Sequence, residues 1–366
     1  MSDSTVPVSV DTVLDRVRSH RLHPLGDDDF TIDRNRREHG IADVDDEDWK
    51  VRLLAVRDLV RVESESIPDI VDGLSDDDLH VRQVCAKALG VRAANDAIAE
   101  LQQVARDDPE AVVRSQAILA LGQIGADDTH SLLRDRAESD PSKDVRHRAE
   151  LAIDRIEKDE VVSDATAEAY RDLDPETFRT VTVGDPAPAF ELSDTDGNRW
   201  ALSDRVEANE WTVLLWVFAD WCPVCHREFD ELIKLREAFE ARDVSVATVE
   251  CHDRYRCRVM VGEELEPDYW FAEESFQDRY TDRIWWPHLI DRAGAVGAIY
   301  GVDPMAYAVH AEYINRPATV IVDPDGIVRF AYYGTFWGDR PSIEEVLEMI
   351  RSEDFEYEHP DRLSAA

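Results

Sequence analysis

The sequence predicts a multidomain chain in which an all-α solenoid is followed by an α/β domain. Three observations carry this reading. Four segments of the first half repeat one pattern at a nearly constant period. After residue 183 the apolar residues gather instead into short, β-rich runs. The most apolar of those runs leads straight into a Cys-x-x-Cys at the head of a helical pattern.

The repeating segments are "WKVRLLAVRDL" (49–59), "LHVRQVCAKALG" (79–90), "AVVRSQAILALG" (111–122) and "KDVRHRAELAI" (143–153). Their Val-Arg pairs begin at Val51, Val81, Val113 and Val145, in steps of 30, 32 and 32. Apolar and small residues recur at helical spacing within each, as in Val81, Val84, Cys85, Ala88 and Leu89. Acidic or proline-bearing turns precede them, and Gly90 and Gly122 fall where helix C-caps are expected. One such unit cannot bury its apolar face alone, so the units stack on one another. The regularly placed Arg52, Arg82, Arg114 and Arg146 are expected to bridge neighbouring units or cap carbonyls, and Cys85 to be a core thiol. The pattern over 41–157 resembles HEAT-like repeats of the short kind, which implies a docking surface for a protein partner. Residues 1–40 read as an N-terminal arm, partly helical or disordered, and the polar stretch 158–182 as a linker.

The second half opens on "VGDPAPAFELSDTDGNRWALSD" (183–204), a proline-rich entry and a hairpin signal around the "DTDGN" turn. "WTVLLWVF" (211–218) reads as a buried central strand and "VSVATVE" (244–250) as the next. Between them lies a helix with Phe229, Leu232, Ile233, Leu235 and Phe239 at helical spacing. "RPATVIVDPDGIVRFAYYG" (316–334) reads as strand, turn and strand, and "SIEEVLEMIRS" as a closing helix, with residues 353–366 as a tail.

The stretch "FADWCPVCHRE" (218–228) admits three chemistries: a redox dithiol, half a zinc site, or a Cys-x-x-Cys-His haem attachment. Haem attachment is disfavoured, because here the motif follows a core strand. Zinc is secondary, because structural zinc takes four ligands and no second Cys-x-x-Cys is present; no metal is expected. His226 is expected to be solvated.

A dithiol at a strand-to-helix junction, answered later by a proline before an edge hairpin, resembles the thioredoxin fold. The leading "VGDPAPAFEL", together with "WPHLIDRAGAVGAIYGV" (286–302) and "RPATVIVDPDG", is similar to the redoxin branch of that fold over 183–352. That branch comprises TlpA-like thiol-disulfide oxidoreductases and peroxiredoxins of the AhpC-TSA superfamily. The resemblance implies that Cys222 attacks a disulfide, Cys225 resolves, and the Cys222–Cys225 disulfide serves in place of any cofactor. It implies roles for Trp221 in shielding the sulfur, and for Pro317, as the family's cis-proline, in presenting the backbone of Arg316 to a substrate strand. With Cys222 at the N-cap and Pro223 at N1, the helix end is expected to depress the Cys222 pKa. The partners implied are a protein disulfide substrate and a thiol electron donor.

Two departures matter. The buried carboxylate that many thioredoxins carry six positions before the first cysteine is here Trp216, which leaves Glu228 or water to serve Cys225. The peroxiredoxin threonine is absent, the position three before Cys222 being Ala219, which puts thiol-dependent peroxide reduction second. A scaffold with a metal-bound or static cysteine pair is the reading outside the enzyme class. Cys251 and Cys257 in "CHDRYRC" are possible auxiliary thiols, although core placement is the plainer expectation. The chain between Cys222 and Pro317 exceeds what a minimal thioredoxin fold needs, and Tyr269-Trp270 and Trp285-Trp286 are weighed as groove-lining against core packing.

Charge narrows the setting. Eighty acidic residues face 41 basic ones, for a net charge of −39, and only five of the basic residues are lysine. Acidic residues spread through every segment, with arginine favoured over lysine, are the composition of proteins from salt-loaded, haloarchaeal-type cytoplasms. With no basic stripe, nucleic-acid backbone binding is disfavoured, and no nucleic-acid partner is expected. The opening residues carry no signal-peptide pattern, and the longest apolar run, 213–219, is far short of a membrane span. A cytoplasmic protein away from membranes is therefore expected, and the resemblance to the redoxin branch implies a role in redox homeostasis or antioxidant defence.

Overall fold

The computed structural model describes residues 8–20, 48–208, 210–264, 284–334 and 338–357. They form two compact units, one holding 8–20, 48–173 and 308–313 and the other the remaining residues from 174 onward. The sequence-predicted arm beyond residue 20, the first residues of the repeat region (41–47) and Tyr269-Trp270 lie outside the described residues.

The first unit is helical: α1 (Val10–His20), α2 (Asp48–Arg61), α3 (Ile67–Asp72), α4 (Leu79–Val91), α5 (Ile98–Asp107), α6 (Ala111–Ile124), α7 (His130–Ser139), α8 (Lys143–Glu157) and α9 (Asp164–Arg171). The four repeating segments are α2, α4, α6 and α8, each packed on the next. Their apolar stripes, including Leu53, Val56, Val84, Leu89, Val113, Ile118, Leu121 and Ala149, are fully buried. Cys85 is part of this core, its thiol pushed up by burial and so inert at neutral pH.

Gly90 and Gly122 do not cap these helices. Both lie inside them, and the C-caps are Arg92 and Gly125, the latter in the left-handed region at φ 74°. Their use is close approach: a Cβ on Gly90 would come within 2.8 Å of the Ala120 Cα, and one on Gly122 within 3.1 Å of the Ala152 Cα. The repeat period therefore places a notch on one helix against the backbone of the next.

The arginines form a ladder between turns. Arg82 Nε donates to Asp108 Oδ2 (2.7 Å) while its Nη1 donates to the Asp76 carbonyl (2.8 Å). One unit later, Arg114 Nε donates to Asp140 Oδ2 (3.0 Å) and its Nη1 to the Asp108 carbonyl (2.9 Å). Arg146 repeats the carbonyl half of the pattern on Asp140, at 2.5 Å. Arg52 instead lies 4.5 Å over the ring of Tyr313, which is among the residues 308–313 of this unit. In the same group Glu312 pairs with Arg148 at 2.7 Å, both buried.

The second unit is built on a five-stranded sheet of order β5-β4-β3-β8-β9, where β3 is Trp211–Trp216, β4 Val244–Glu250, β5 His288–Ile290, β8 Ala318–Val322 and β9 Val328–Tyr333. β3 runs parallel to β4 and antiparallel to β8, and β4 runs parallel to β5. A short hairpin, β1 (Glu191–Ser193) with β2 (Arg199–Ala201), turns through Gly197 at φ 87°. In the chain before β8 lies another, β6 (Tyr307–Val309) with β7 (Glu312–Ile314), whose residues 308–313 are those of the first unit. The helices are α10 (Leu202–Glu207), α11 (Pro223–Glu240), α12 (Arg254–Met260), α13 (Ala295–Tyr300) and α14 (Ile343–Ser352). α14 begins with a reciprocal capping box between Ser342 and Glu345. β3 is central and buried over Thr212–Trp216, as its unbroken apolar run requires. Leu214, Trp216, Val249, Leu289, Tyr300 and Val320 form the core on one side of the sheet.

The buried Arg114–Asp140 pair tests the ladder. Arg114→Ala removes the closer of two guanidiniums on buried Asp140, leaving Arg136 at 3.5 Å, and is expected to cost about 1–3 kcal/mol of helical-unit stability. The exposed Arg199→Ala is expected to change stability by less than about 1 kcal/mol. Denaturant unfolding followed by circular dichroism at constant salt measures both.

Candidate active site

The end of β3 delivers the chain into Val217–Trp221, and α11 starts immediately after. Cys222 is the N-cap of α11 (φ −75°, ψ 114°), its sulfur accepting the Cys225 N–H at 3.4 Å, and Pro223 follows at N1. Cys225 is one turn in, with its sulfur accepting from the Phe218 N–H at 3.3 Å and from Arg340 Nη2 at 3.0 Å. Both sulfurs belong to fully buried residues.

Arg340 comes from the segment between β9 and α14, and it is held on three sides. Besides the Cys225 sulfur, its Nη1 donates to the Trp216 carbonyl (3.2 Å) and its Nε lies 2.7 Å from Glu228 Oε1. Burial pushes the Glu228 carboxyl up to about 8; the Arg340 charge opposes this shift and the neighbouring Cys225 adds to it. A cleft of about 180 Å³ reaches this group, lined in part by Val224, Glu228, Gly338, Arg340 and Tyr357.

The expectation of a readily ionised Cys222 does not hold for the dithiol state. Burial, then the hydrogen bond with Cys225 and the charge of Cys225, push the Cys222 thiol well above its ordinary value. Burial also works against ionisation of Cys225, but the hydrogen bond from Cys222 and the Arg340 guanidinium bring it down to about 6. The two share one proton, so the low value belongs to the pair. The physical reason is one of magnitude. A helix end contributes at most about 2 kcal/mol, or roughly 1.5 pH units, whereas full burial shifts a pKa by up to about 3–5 units. The hydrogen bond between the sulfurs and a guanidinium in contact with Cys225 together overcome that.

The surrounding residues are brought together less uniformly than expected. Trp221 is buried and meets Phe218 edge-on, ring centroids 5.7 Å apart. His226 is not solvated: it is buried, with Nε2 2.6 Å from the Asp220 carbonyl. The Asp220 carboxylate is in turn ion-paired with Arg256 of α12, whose Nε donates at 2.8 Å. Asp220, two residues before Cys222, is thus held through both its carbonyl and its carboxylate. Pro317 lies beside the end of β3, because Ala318 is in register with Trp216 and the Asn315 amide donates to the Val217 carbonyl at 3.0 Å. The bond before Pro317 is trans, contrary to the cis form that the resemblance implied, and trans is the lower-energy isomer for an Xaa-Pro bond. The Arg316 carbonyl accepts from the Asn315 amide (2.9 Å), and its guanidinium lies 3.1 Å from Asp303.

Cys251 and Cys257 have other partners. The Cys251 sulfur lies 3.9 Å from Asp291 Oδ2 and the Cys257 sulfur 3.8 Å from the His252 carbonyl. Burial pushes both thiols well above the ordinary range, so neither offers a ready thiolate to the dithiol. Trp286 packs in the core and meets Phe229 edge-on at 5.1 Å, while the partly buried Trp285 donates its indole N–H to the Leu232 carbonyl. Sequence reasoning missed Arg340 and Asn315. Arg340 stands 115 positions after Cys225 in "GDRPS", with no local motif to set it apart from the other arginines.

Residues 183–331 match the AhpC/TSA family, and residues 41–122 and 92–154 match HEAT repeats. Over 171 residues the chain is 28% identical to the thiol-disulfide oxidoreductase ResA of Geobacillus thermodenitrificans strain NG80-2, covering 47% of this chain and 79% of that protein. It is 24% identical over 178 residues to the thiol:disulfide interchange protein DsbE of Yersinia pestis, covering 49% and 78% of the two chains. It is also 22% identical over 173 residues to a putative peroxiredoxin in the rubredoxin operon of Clostridium pasteurianum, covering 46% and 88%. No helix among the described residues is long and apolar enough to cross a membrane. The chain carries HEAT repeats followed by a redoxin domain of the AhpC/TSA family, a domain whose relatives here include both thiol-disulfide oxidoreductases and peroxiredoxins.

Proposed function

We propose that the redoxin domain, residues 183–352, is a cytoplasmic thiol-disulfide oxidoreductase. The HEAT-like repeats of 41–157, joined to it through 158–182, would dock its protein partner. The observation that carries the catalytic reading is the single guanidinium of Arg340, placed against both the Cys225 sulfur and the Glu228 carboxyl. One positive charge cannot neutralise two anions. With Cys225 ionised at about 6 and Glu228 at about 8, the dithiol state near neutral pH holds one thiolate, one thiol and a protonated Glu228.

That inventory balances the reaction. As the shared proton moves to Cys225, the Cys222 thiolate attacks one sulfur of a client disulfide, forming a mixed disulfide and expelling the first client thiolate. Cys225 is then uncharged, so Glu228 ionises against Arg340 and its proton goes to that leaving thiolate. Cys225 next passes its proton to Glu228 and attacks the Cys222 sulfur. The Cys222–Cys225 disulfide closes, and the second client thiolate leaves and takes the proton. Two electrons pass to the client, two protons go with them, and Arg340 ends paired with the Glu228 carboxylate. An external thiol donor reverses the sequence on the enzyme. No resident cofactor beyond this disulfide is invoked. Trp221, Pro223, Arg316 and Pro317 are assigned to shaping the client's approach.

Thiol-dependent peroxide reduction is the second reading, favoured by the family match and by the Clostridium pasteurianum relative. The trapping variant separates the two. Cys225→Ser is expected to accumulate mixed disulfides with proteins through Cys222, seen as non-reducing gel shifts that Cys222→Ala abolishes. Rapid Cys222-dependent peroxide consumption without trapped clients would instead establish the second reading.

Two further outcomes follow from the charge arrangement. Arg340→Met is expected to raise the first thiol ionisation from about 6 by about 1–3 units, because an opposing charge in contact contributes that much. Thiolate absorbance at 240 nm against pH reads the shift, and Arg340→Lys is expected to recover part of it. Client reduction by the intact protein is expected to fall as pH rises through about 8, where Glu228 loses its proton. Glu228→Gln is expected to remove that falling limb and slow reduction about 100-fold, read from the pH profile of disulfide reduction.

A further inference from the structure

A second chemical cluster lies beyond the dithiol. In parallel register His288 stands opposite Thr248, and strand alternation puts Thr248, Glu250 and His288 on one face of the sheet. α12 brings Cys257 to the same place. The donor atoms of Glu250, Cys257 and His288 all lie within 4.8 Å of one another, and all three residues are fully buried or nearly so. Among the described residues this is the one group of three such donors.

We propose that Glu250, Cys257 and His288 form a binding site for a borderline divalent transition metal of the Zn²⁺ type. Three observations support this. First, the donor set is one carboxylate oxygen, one sulfur and one imidazole nitrogen, which selects for Zn²⁺, Co²⁺ or Fe²⁺ and against Mg²⁺ and Ca²⁺. With a carboxylate and a thiolate around a dication and a neutral imidazole, the net charge is zero, as a buried site requires. Second, the spacing is close to what an ion needs. Bonds of about 2.0–2.3 Å in tetrahedral geometry set ligands about 3.3–3.6 Å apart, so side-chain rotations of about an ångström close the cluster. Glu250 Oε2 and His288 Nε2 already face each other at 2.8 Å, and the cation would take the place of the proton between them.

Third, the outer partners of a metal site are in place. His288 Nδ1 lies 2.8 Å from Thr248 Oγ1, which also receives the Trp286 indole N–H at 3.0 Å, so the ring is held with Nε2 toward the cluster. The second carboxylate oxygen, Glu250 Oε1, is engaged by His252 Nδ1 at 2.6 Å, which orients the carboxylate. Three protein ligands leave the fourth position of the ion for a small molecule.

The test uses the full-length Cys222→Ser/Cys225→Ser protein, so that the dithiol cannot supply ligands. After chelator treatment it is titrated anaerobically with Co²⁺. One equivalent is expected to bind, with a thiolate-to-cobalt charge-transfer band, and Zn²⁺ is expected to displace it. Cys257→Ser is expected to abolish the band. The isosteric Thr248→Val is expected to retain it while weakening binding about 10-fold, through loss of the outer partner. Failure of the double-serine protein to take up one equivalent overturns the proposal without any variant at the cluster. Should Cys257→Ser prove unfolded by circular dichroism, alkylation of Cys257 supplies the same reading, since bound Zn²⁺ must protect that thiol. A charge-transfer band that survives in folded Cys257→Ser, or a Cys257 that Zn²⁺ leaves unprotected, overturns it equally.

Discussion

The chemistry proposed for the redoxin domain depends on one buried positive charge shared between two acids. Arg340 touches the Cys225 sulfur and the Glu228 carboxyl at once, and it is anchored on the Trp216 carbonyl. In a buried site the cost of an unpaired ion is several kcal/mol, so the guanidinium tolerates one partner anion and penalises a second. The dithiol state places that anion on sulfur and leaves Glu228 protonated. On the proposed mechanism, conversion to the disulfide would remove the sulfur anion and leave the carboxylate as the natural partner, which would tie proton movement and electron transfer to the same nitrogen atoms.

The fold supplies each part of this arrangement from a different level of structure. Parallel β3 and β4 and antiparallel β8 set the position of the strand end, and the buried run Thr212–Trp216 makes it rigid. The N-terminus of α11 then fixes the spacing of the two sulfurs by one helical turn. Asp220, between strand and helix, is held by Arg256, and Arg256 is followed at once by Cys257 of the second cluster. α12 therefore has one residue engaged with the loop before the dithiol and the next facing the Glu250–His288 pair.

The helical unit solves a different problem with the same ingredients. Its net-acidic surface would repel itself at low salt, yet the turns between helices bury Asp108 and Asp140 against Arg82 and Arg114. A rigid, planar guanidinium can bond a carboxylate of the following turn and a carbonyl of the preceding one together, which a lysine cannot. Each repeat is thereby tied to the next at a fixed offset, while the glycine notches at 90 and 122 set how closely the helices approach.

Much of this was determined by the sequence alone. A period near 32 residues, a buried β-rich run and a Cys-x-x-Cys at a helix start are local patterns, and local patterns survive without knowledge of the fold. They specify the HEAT repeats, the redoxin domain, the N-cap position of Cys222 and the structural role of the repeat arginines. The tertiary structure alone decided which side chains meet. Arg340 reaches Cys225 from 115 positions away, and its charge adds to the hydrogen bond between the two sulfurs in lowering the ionisation of the pair. His226 turns inward because a carbonyl of its own loop is there to meet it. Gly90 and Gly122 face neighbouring helices, so a spacing that suggested caps denotes contact instead. Glu250, Cys257 and His288 converge only when two parallel strands and a helix are assembled. Charge neutralisation and close approach depend on distance in space, and distance in space between remote residues is written in no short stretch of chain.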